Sequence, residues 1–454
     1  MVSVQSNSNT ILEGNILTTL LKISLPIMLN QLLQTFYNIS DSYFMGLLGS
    51  EALAASAFTS PIFQVLVSLG AGLATGGMII FSKNIGAGKF EDNLKSKSQL
   101  LIVNLLLGSI LTLVAYIFTE DILHFSGATG PLTELSSKYM KILFLSIPSL
   151  LIINSYSAIE NSKGNTKKPL FLVAVSTGLN IILNSLAVKF NTGISGIALA
   201  TLISSLLLTS YCIFELFKNN DISLKYLKPD PTLILYILSM GIPVALSSST
   251  ASLGFVVMNR YVVDFGSEAL AAFGIGNRIN NIFYTPANGL LTGVSIMISQ
   301  NLGAKNKKRM KEIFKVSMKT SISIAFLGSF LLYFLTEPMI AIFTQDPEIF
   351  RHSKNYLHIF VYCNLAWGVY QIYSGYFLGV GLTKLNFYIN LGRVWAFRIP
   401  VLIFLKNFFS LEAYSIWFAM LISNILVMFL VAIIFYLKFN RHHNFLKKSL
   451  LTDA

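Results

Sequence analysis

Asp41 is an ionisable residue inside an apolar stretch, residues 16–47, that is long enough to cross a membrane. A carboxylate in a hydrocarbon layer costs several kcal/mol unless it is neutral, paired or hydrated, so its position marks a group that handles a proton or a cation. Polar company for it falls at similar depth in neighbouring stretches. Tyr37 lies one helical turn before Asp41, Asn180 and Asn184 form an i,i+4 pair on one helix face, and Asn154 and Thr201 lie in two further stretches. Any one of these is equally explained as a hydrogen bond between packed helices. Their shared depth is what points to a polar cavity around the carboxylate.

The elements that must position them are transmembrane helices. The chain is 54% hydrophobic and only 12% charged, with a mean hydropathy of +0.66. Apolar stretches of spanning length recur at 16–47, 52–82, 98–118, 139–161, 169–189, 194–217, 233–264, 269–300, 314–335, 355–380, 385–405 and 412–438. Basic residues crowd alternate connections, Lys83 to Lys97, Lys163 to Lys168, Lys218 to Lys228, Lys305 to Lys319 and the tail from Lys438 to Lys448. Acidic residues such as Glu51, Glu120, Glu134, Asp264, Glu337 and Glu348 mark the others. The positive-inside rule then predicts a multi-pass inner-membrane protein with both termini in the cytoplasm, and places Asp41 in the outer half of the bilayer.

The second half of the chain repeats the first. G-S-E-A-L-A-A occurs at Gly49–Ala55 and again at Gly266–Ala272, an offset of 266 − 49 = 217. The same offset maps Pro26 onto Pro243, Gly72 onto Gly289, Gly86-Ala87 onto Gly303-Ala304, and Gly164, Thr166 and Lys167 onto Gly381, Thr383 and Lys384. The predicted fold is therefore all-α, twelve helices in two six-helix lobes related by a parallel repeat. The lobes span 1–217 and 233–438, joined by a linker at 218–232 with prolines at 229 and 231 and followed by a basic tail at 439–454. Gly70, Gly72, Gly76, Gly77, Gly289 and Gly293 are read as close-packing positions, and Pro26 and Pro243 as hinges. The repeat also isolates Asp41, whose counterpart at 41 + 217 = 258 is Met258.

Other chemistries lack their residues. The run Lys305, Lys307, Lys308, Arg309 and Lys311 has no interleaved aromatics and reads as a solvated or headgroup-facing loop, not a nucleic-acid surface. Cys212 and Cys363 lie within spans, and the five histidines form no ligand pattern, so no metal or other cofactor is expected. No Ser-His pair, H-E-x-x-H helix or phosphate loop suggests an enzyme. A polar N-terminus indicates no signal peptide. Arg260, Arg393 and Arg398 in the second half are read as snorkelling to headgroups or paired. Phe36, Phe283, Tyr284, Trp367, Tyr370 and Trp395 are candidate walls of a cavity for flat lipophilic compounds.

L-P-I-M-L-N-Q and N-I-S-D-S-Y-F-M-G in the first span, the doubled G-S-E-A-L-A-A, N-I-G-A-G and N-L-G-A-K, G-N-T-K-K-P at 164–169 and L-N-I-I-L-N at 179–184 occur in the order seen in one family. On these motifs the chain resembles the multidrug and toxic compound extrusion (MATE) family of antiporters, along nearly its full length and nearest the DinF-like branch. The resemblance implies that Tyr37, Asp41, Asn154, Asn180, the residue at 184 and Thr201 handle a coupling proton or sodium ion. It further implies that protonation bends the first span about its proline. The family usually has aspartate where this chain has Asn184, and a single carboxylate favours a proton over sodium. The acidic C-lobe residues of the NorM-like branch have no equivalent here. The expected protein is a monomeric, proton-coupled exporter of amphipathic, often cationic, compounds, in contact with membrane lipids and with no nucleic-acid partner. Alternatives are sodium coupling, a flippase for lipid-linked saccharides or, less readily, a channel.

Overall fold

The computed structural model describes residues 9–409, 411 and 413–440, and these form helices joined by short turns, with no strand among them. The first half holds α1 (Ile16–Leu47), α2 (Ser50–Gly86), α3 (Phe90–Ile117), α4 (Pro131–Phe144), α5 (Ile147–Ser162), α6 (Lys167–Lys189) and α7 (Gly193–Lys218). The second holds α8 (Pro231–Val263), α9 (Ser267–Gly303), α10 (Lys307–Ala341), α11 (Pro347–Gly379), α12 (Thr383–Gly392), α13 (Ile399–Phe408) and α14 (Tyr414–Phe435). The 217-residue offset survives in the boundaries: 50 + 217 and 86 + 217 give 267 and 303, the ends of α9, and 90 + 217 gives 307, the start of α10.

Among the described residues, ten helical segments are long and apolar enough to cross a membrane, and an eleventh is the pair α4–α5, bent by 45°. The twelfth expected span, α11, is an unbroken 33-residue helix that falls short on hydropathy. It buries Asn364, Gln371 and Ser374 against its neighbours, so its polarity faces protein. The halves also differ at this span. Pro148 has no N–H to offer the carbonyl of Phe144, and the helix breaks one turn before it, with proline in the first turn of α5. The counterpart, Leu365, leaves α11 continuous.

A second departure lies between α12 and α13. Arg393–Arg398 form a π-helical turn, whereas the equivalent positions 176–181 belong to the regular α6. Pro400, just beyond, withholds the hydrogen bond that an α-helical continuation would need. Helices α1 and α8 run unbroken through Pro26 and Pro243.

Packing divides the described residues into two compact units, one containing Lys22–Ser249 with Ile296–Arg309, the other Thr250–Ser295 with the described residues from Met310 on. In the first, glycines act as expected. A Cβ on Gly76 would overlap the backbone of Gly241 in α8, and one on Gly72 the backbone of Ala245. At the end bearing the basic connections the repeat meets itself reciprocally. A Cβ on Gly86 would overlap the carbonyl of Gln300, and one on Gly303 the carbonyl of Lys83; 83 and 300 are themselves 217 apart.

The basic connections are less solvated than the sequence suggested. Arg309 donates through Nε to the Ile11 carbonyl (3.0 Å) and also bonds the Gly14 carbonyl. The 218–232 segment is clamped to α3, where Gln99 donates to the carbonyls of Tyr226 (2.8 Å) and Lys228 (2.7 Å) and accepts from the Asp230 amide (3.0 Å). The tail beyond residue 440 and Glu412 lie outside the described residues.

Candidate functional site

Helices α1, α6 and α7 bring the predicted polar residues together inside the first unit. Asn184 donates through Nδ2 to Asp41 Oδ1 at 2.7 Å and to Asn180 Oδ1 at 2.9 Å. Asn180 donates through Nδ2 to Thr201 Oγ1 at 3.4 Å, and the Thr201 and Tyr37 hydroxyls share a hydrogen bond of 3.3 Å. The i,i+4 spacing on α6 is what stacks the two amides, and the 4-residue spacing of Tyr37 and Asp41 on α1 lets that helix touch both ends of the chain of bonds. Asn180 and Asn184 are fully buried and Thr201 nearly so. Apolar packing closes the site, with Phe44, Met45, Ala187, Ile197 and Ala198 in one cluster together with Tyr139.

Each donor and acceptor has a direction. Both Asn184 amide hydrogens are spent, one on the Asp41 carboxylate, while Asn184 Oδ1 is buried without a partner. An acceptor-only partner is what an ionised carboxylate presents. The orphaned oxygen is available to accept from Asp41 once its carboxyl carries a proton and the amide turns. Asn154, half-buried on α5, makes no hydrogen bond to this chain among the described residues. Ser204, which faces the Tyr37 hydroxyl, was not singled out from sequence.

The second half has no equivalent. Adding 217 to Tyr37, Asp41, Asn180, Asn184 and Thr201 gives Gly254, Met258, Phe397, Val401 and Phe418. Met258 is 2% exposed in an apolar core, and a Cβ on Gly254 would overlap Val394 of the π-helical turn. Where one half hydrogen-bonds, the other packs.

Pro26 and Phe36 line an apolar cleft of about 740 Å³ between α1 and α6, with Leu25, Leu29, Leu170 and Phe171. The other aromatic candidates do not join it. Tyr284 stacks on Trp367 at 4.9 Å within the second unit, Trp367 contacts Tyr370, and the Arg393 guanidinium carbon lies 4.9 Å from the centre of the Trp367 ring. The Trp367 ring is thus already covered by its own chain. Phe283 packs against the apolar core of that unit and Trp395 is exposed. Arg393 is neither snorkelling nor paired as expected: it is buried, while among the described residues Arg398 bonds Ser423 and Asn424, and Asp264 pairs with Lys406.

A buried charge cluster that sequence reasoning missed lies at the other end of the first unit, about 26 Å along α6 from Asn184 by helix rise over 17 residues. Lys163 Nζ bonds Glu160 Oε1 and Asp221 Oδ2, each at 2.5 Å, and Lys97 Nζ bonds Asp221 Oδ1 at 2.9 Å. All four are buried. Asn165 donates to Glu160, and Lys168 pairs with Glu215, which also accepts from Tyr156. Burial alone would raise the Asp221 carboxyl, but the charges of Lys97 and Lys163 outweigh it and hold it below the ordinary aspartate value.

Comparison with known proteins agrees with the repeat. The MatE family profile matches residues 26–186 and again 243–404, the second match starting 243 − 26 = 217 residues after the first. The probable multidrug resistance protein YoeA of Bacillus subtilis is 28% identical over 405 residues, covering 86% of this chain and 87% of that protein. The multidrug export protein MepA of Staphylococcus saprophyticus is 28% identical over 436 residues, covering 94% and 95%. A crystal structure of a MATE protein in the bent conformation superimposes with a TM-score of 0.91 at 22% identity, covering 99% of both chains, and so shares the fold. With two matched copies that together cover most of its length, the chain belongs to the MatE family.

Proposed function

We propose that this protein is a secondary antiporter that exports amphipathic, often cationic, organic compounds by alternating access, driven by protons that load onto Asp41. The export reading draws on relatives named for multidrug resistance and multidrug export. The coupling reading draws on one observation, the Asp41–Asn184–Asn180–Thr201–Tyr37 chain that exists in one half only. Protonation removes the charge that Asn184 stabilises and converts Asp41 from acceptor to donor, which re-orders the bonds between α1 and α6. The Pro26 cleft between these helices gives α1 room to move. Purified protein in liposomes tests this: uptake of a cationic dye should follow an imposed proton gradient and collapse with a protonophore. Dye movement indifferent to the gradient would remove the coupling.

Sodium is the second reading, favoured by the unpartnered Asn184 Oδ1 beside the carboxylate, since a hard cation seeks oxygens. Asn184→Asp adds a second charge to that oxygen set. Proton-driven export should persist in this variant and acquire sodium sensitivity, read as a sodium-dependent shift in dye transport. Saturable sodium-driven transport by the unaltered protein, insensitive to the proton gradient, would reverse the assignment.

Orientation follows from the alternating basic connections, with both termini in the cytoplasm of a bacterial inner membrane. Cysteines at Lys95 and Lys308 should react with an impermeant maleimide only from the cytoplasmic side, and one at Glu51 only from outside. Cys212 and Cys363 are buried and contribute little background. Labelling of Lys95 and Glu51 positions from the same side would refute the arrangement.

A further inference from the structure

We infer that the second unit contains an anion site built on Arg393, Trp367 and Tyr370, which takes a small monovalent anion, a halide or a carboxylate. The π-helical turn is the first observation. Its i→i+5 hydrogen bonds stack residues five apart, as residues four apart stack in an α-helix, and so bring Arg393 and Arg398 toward one face. Turns of this kind occur frequently at functional sites. The equivalent positions in the other half, Ser176 and Ile181, carry no charge and sit in a regular helix.

The second observation is the charge. Arg393 is 8% exposed and Arg398 is close enough to feel its repulsion. Among the described residues neither guanidinium has a carboxylate at ion-pairing distance, and the partners of Arg398 are the neutral Ser423 (3.1 Å) and Asn424 (3.2 Å). The charged and titratable groups around them are Tyr284, Tyr356, Tyr370 and Cys363, none of which is anionic at neutral pH. Buried charges in proteins are ordinarily paired and hydrogen-bonded.

The third observation is the set of unmet donors. Arg393 Nε, Trp367 Nε1 and the Tyr370 hydroxyl are all buried without a hydrogen-bond partner, and they belong to side chains in contact or electrostatic reach of one another. The Tyr370 hydroxyl lies beside the polar side chains of Ser374 and Asn390. An occupant that satisfies these groups must accept hydrogen bonds, and the guanidinium charge without a carboxylate partner favours an anion. The inference is independent of the coupling carboxylate, because it concerns binding and needs no gradient.

The test is equilibrium binding to purified full-length protein in detergent with radiolabelled chloride, and separately with radiolabelled benzoate. Saturable binding near one per chain is expected. Arg393→Gln should weaken it about tenfold or more, the effect of losing a charge-assisted hydrogen bond. Tyr370→Phe keeps the ring and Trp367→Phe an aromatic side chain, each deleting one donor, so they should fold and weaken binding severalfold even where Arg393→Gln does not fold. Chloride binding without benzoate binding assigns the site to inorganic anions; benzoate binding that excludes chloride assigns it to acidic organic compounds. Absence of saturable binding of both would mean that water satisfies these donors, and binding unchanged by the phenylalanine variants would place the anion elsewhere; either result overturns the inference.

Discussion

Asp41→Asn is expected to reduce gradient-driven export to the level of protein-free liposomes while leaving the protein folded and inserted. Asparagine has the shape of aspartate, and its side-chain oxygen can still accept from Asn184 Nδ2, so the contact between α1 and α6 remains. What disappears is the titrating group, and with it the ability to alternate between acceptor and donor as a proton arrives and leaves. Uncoupled binding of dye should survive. The control belongs at the pseudo-symmetric position. Met258 is 2% exposed in an apolar core, so truncation to alanine would cost about 2–5 kcal/mol through the cavity it leaves. Met258→Leu conserves volume and should transport normally. Wild-type export by Asp41→Asn, from protein present at wild-type level, would show that the coupling ion is handled elsewhere.

The helices and the carboxylate site were legible because they rest on patterns written locally. Hydropathy marks spans, the 217-residue offset fixes their boundaries, and the Asn180–Asn184 spacing places two amides on one helix face. The break of the fourth span turns on Pro148, a residue type that α8 tolerates at Pro243 without a break, so the proline alone did not decide it. The arginines were misread for a related reason. Composition shows that Arg393 is in a span, but only the π-helical turn shows that it is turned inward and stacked on Trp367. The aromatic candidates had no periodicity to sort wall from core, and four of the six, Phe283, Tyr284, Trp367 and Tyr370, pack within the second unit.

The least legible feature carries the second large expectation. Lys97 and Lys163 look from sequence like any basic loop residues, since a solvated lysine and a buried one share the same letter. Their partner, Asp221, is 124 and 58 residues away. Lys163→Met should destabilise the protein by about 3–5 kcal/mol, the cost of leaving buried charge uncompensated. It strips Glu160, 1% exposed, of its shortest ion pair and leaves Asp221 with Lys97 alone. Thermal unfolding in detergent reads the loss, with Lys308→Met, exposed in the first turn of α10, expected to stay within about 0.5 kcal/mol of the unaltered protein. Adding Glu160→Gln to Lys163→Met should recover part of the stability, because it removes the charge that Lys163→Met strands; additive losses would show that Lys163 acts through packing alone. The pH dependence has a fixed sign. Because Lys97 and Lys163 hold the Asp221 carboxyl below the ordinary aspartate value, its contribution is complete above that value and is lost as the pH falls through the lowered one. With Lys163 gone the carboxyl titrates at higher pH, so the acid limb of the stability curve should move upward, and an unmoved limb would remove Lys163 from the account of this end of the molecule.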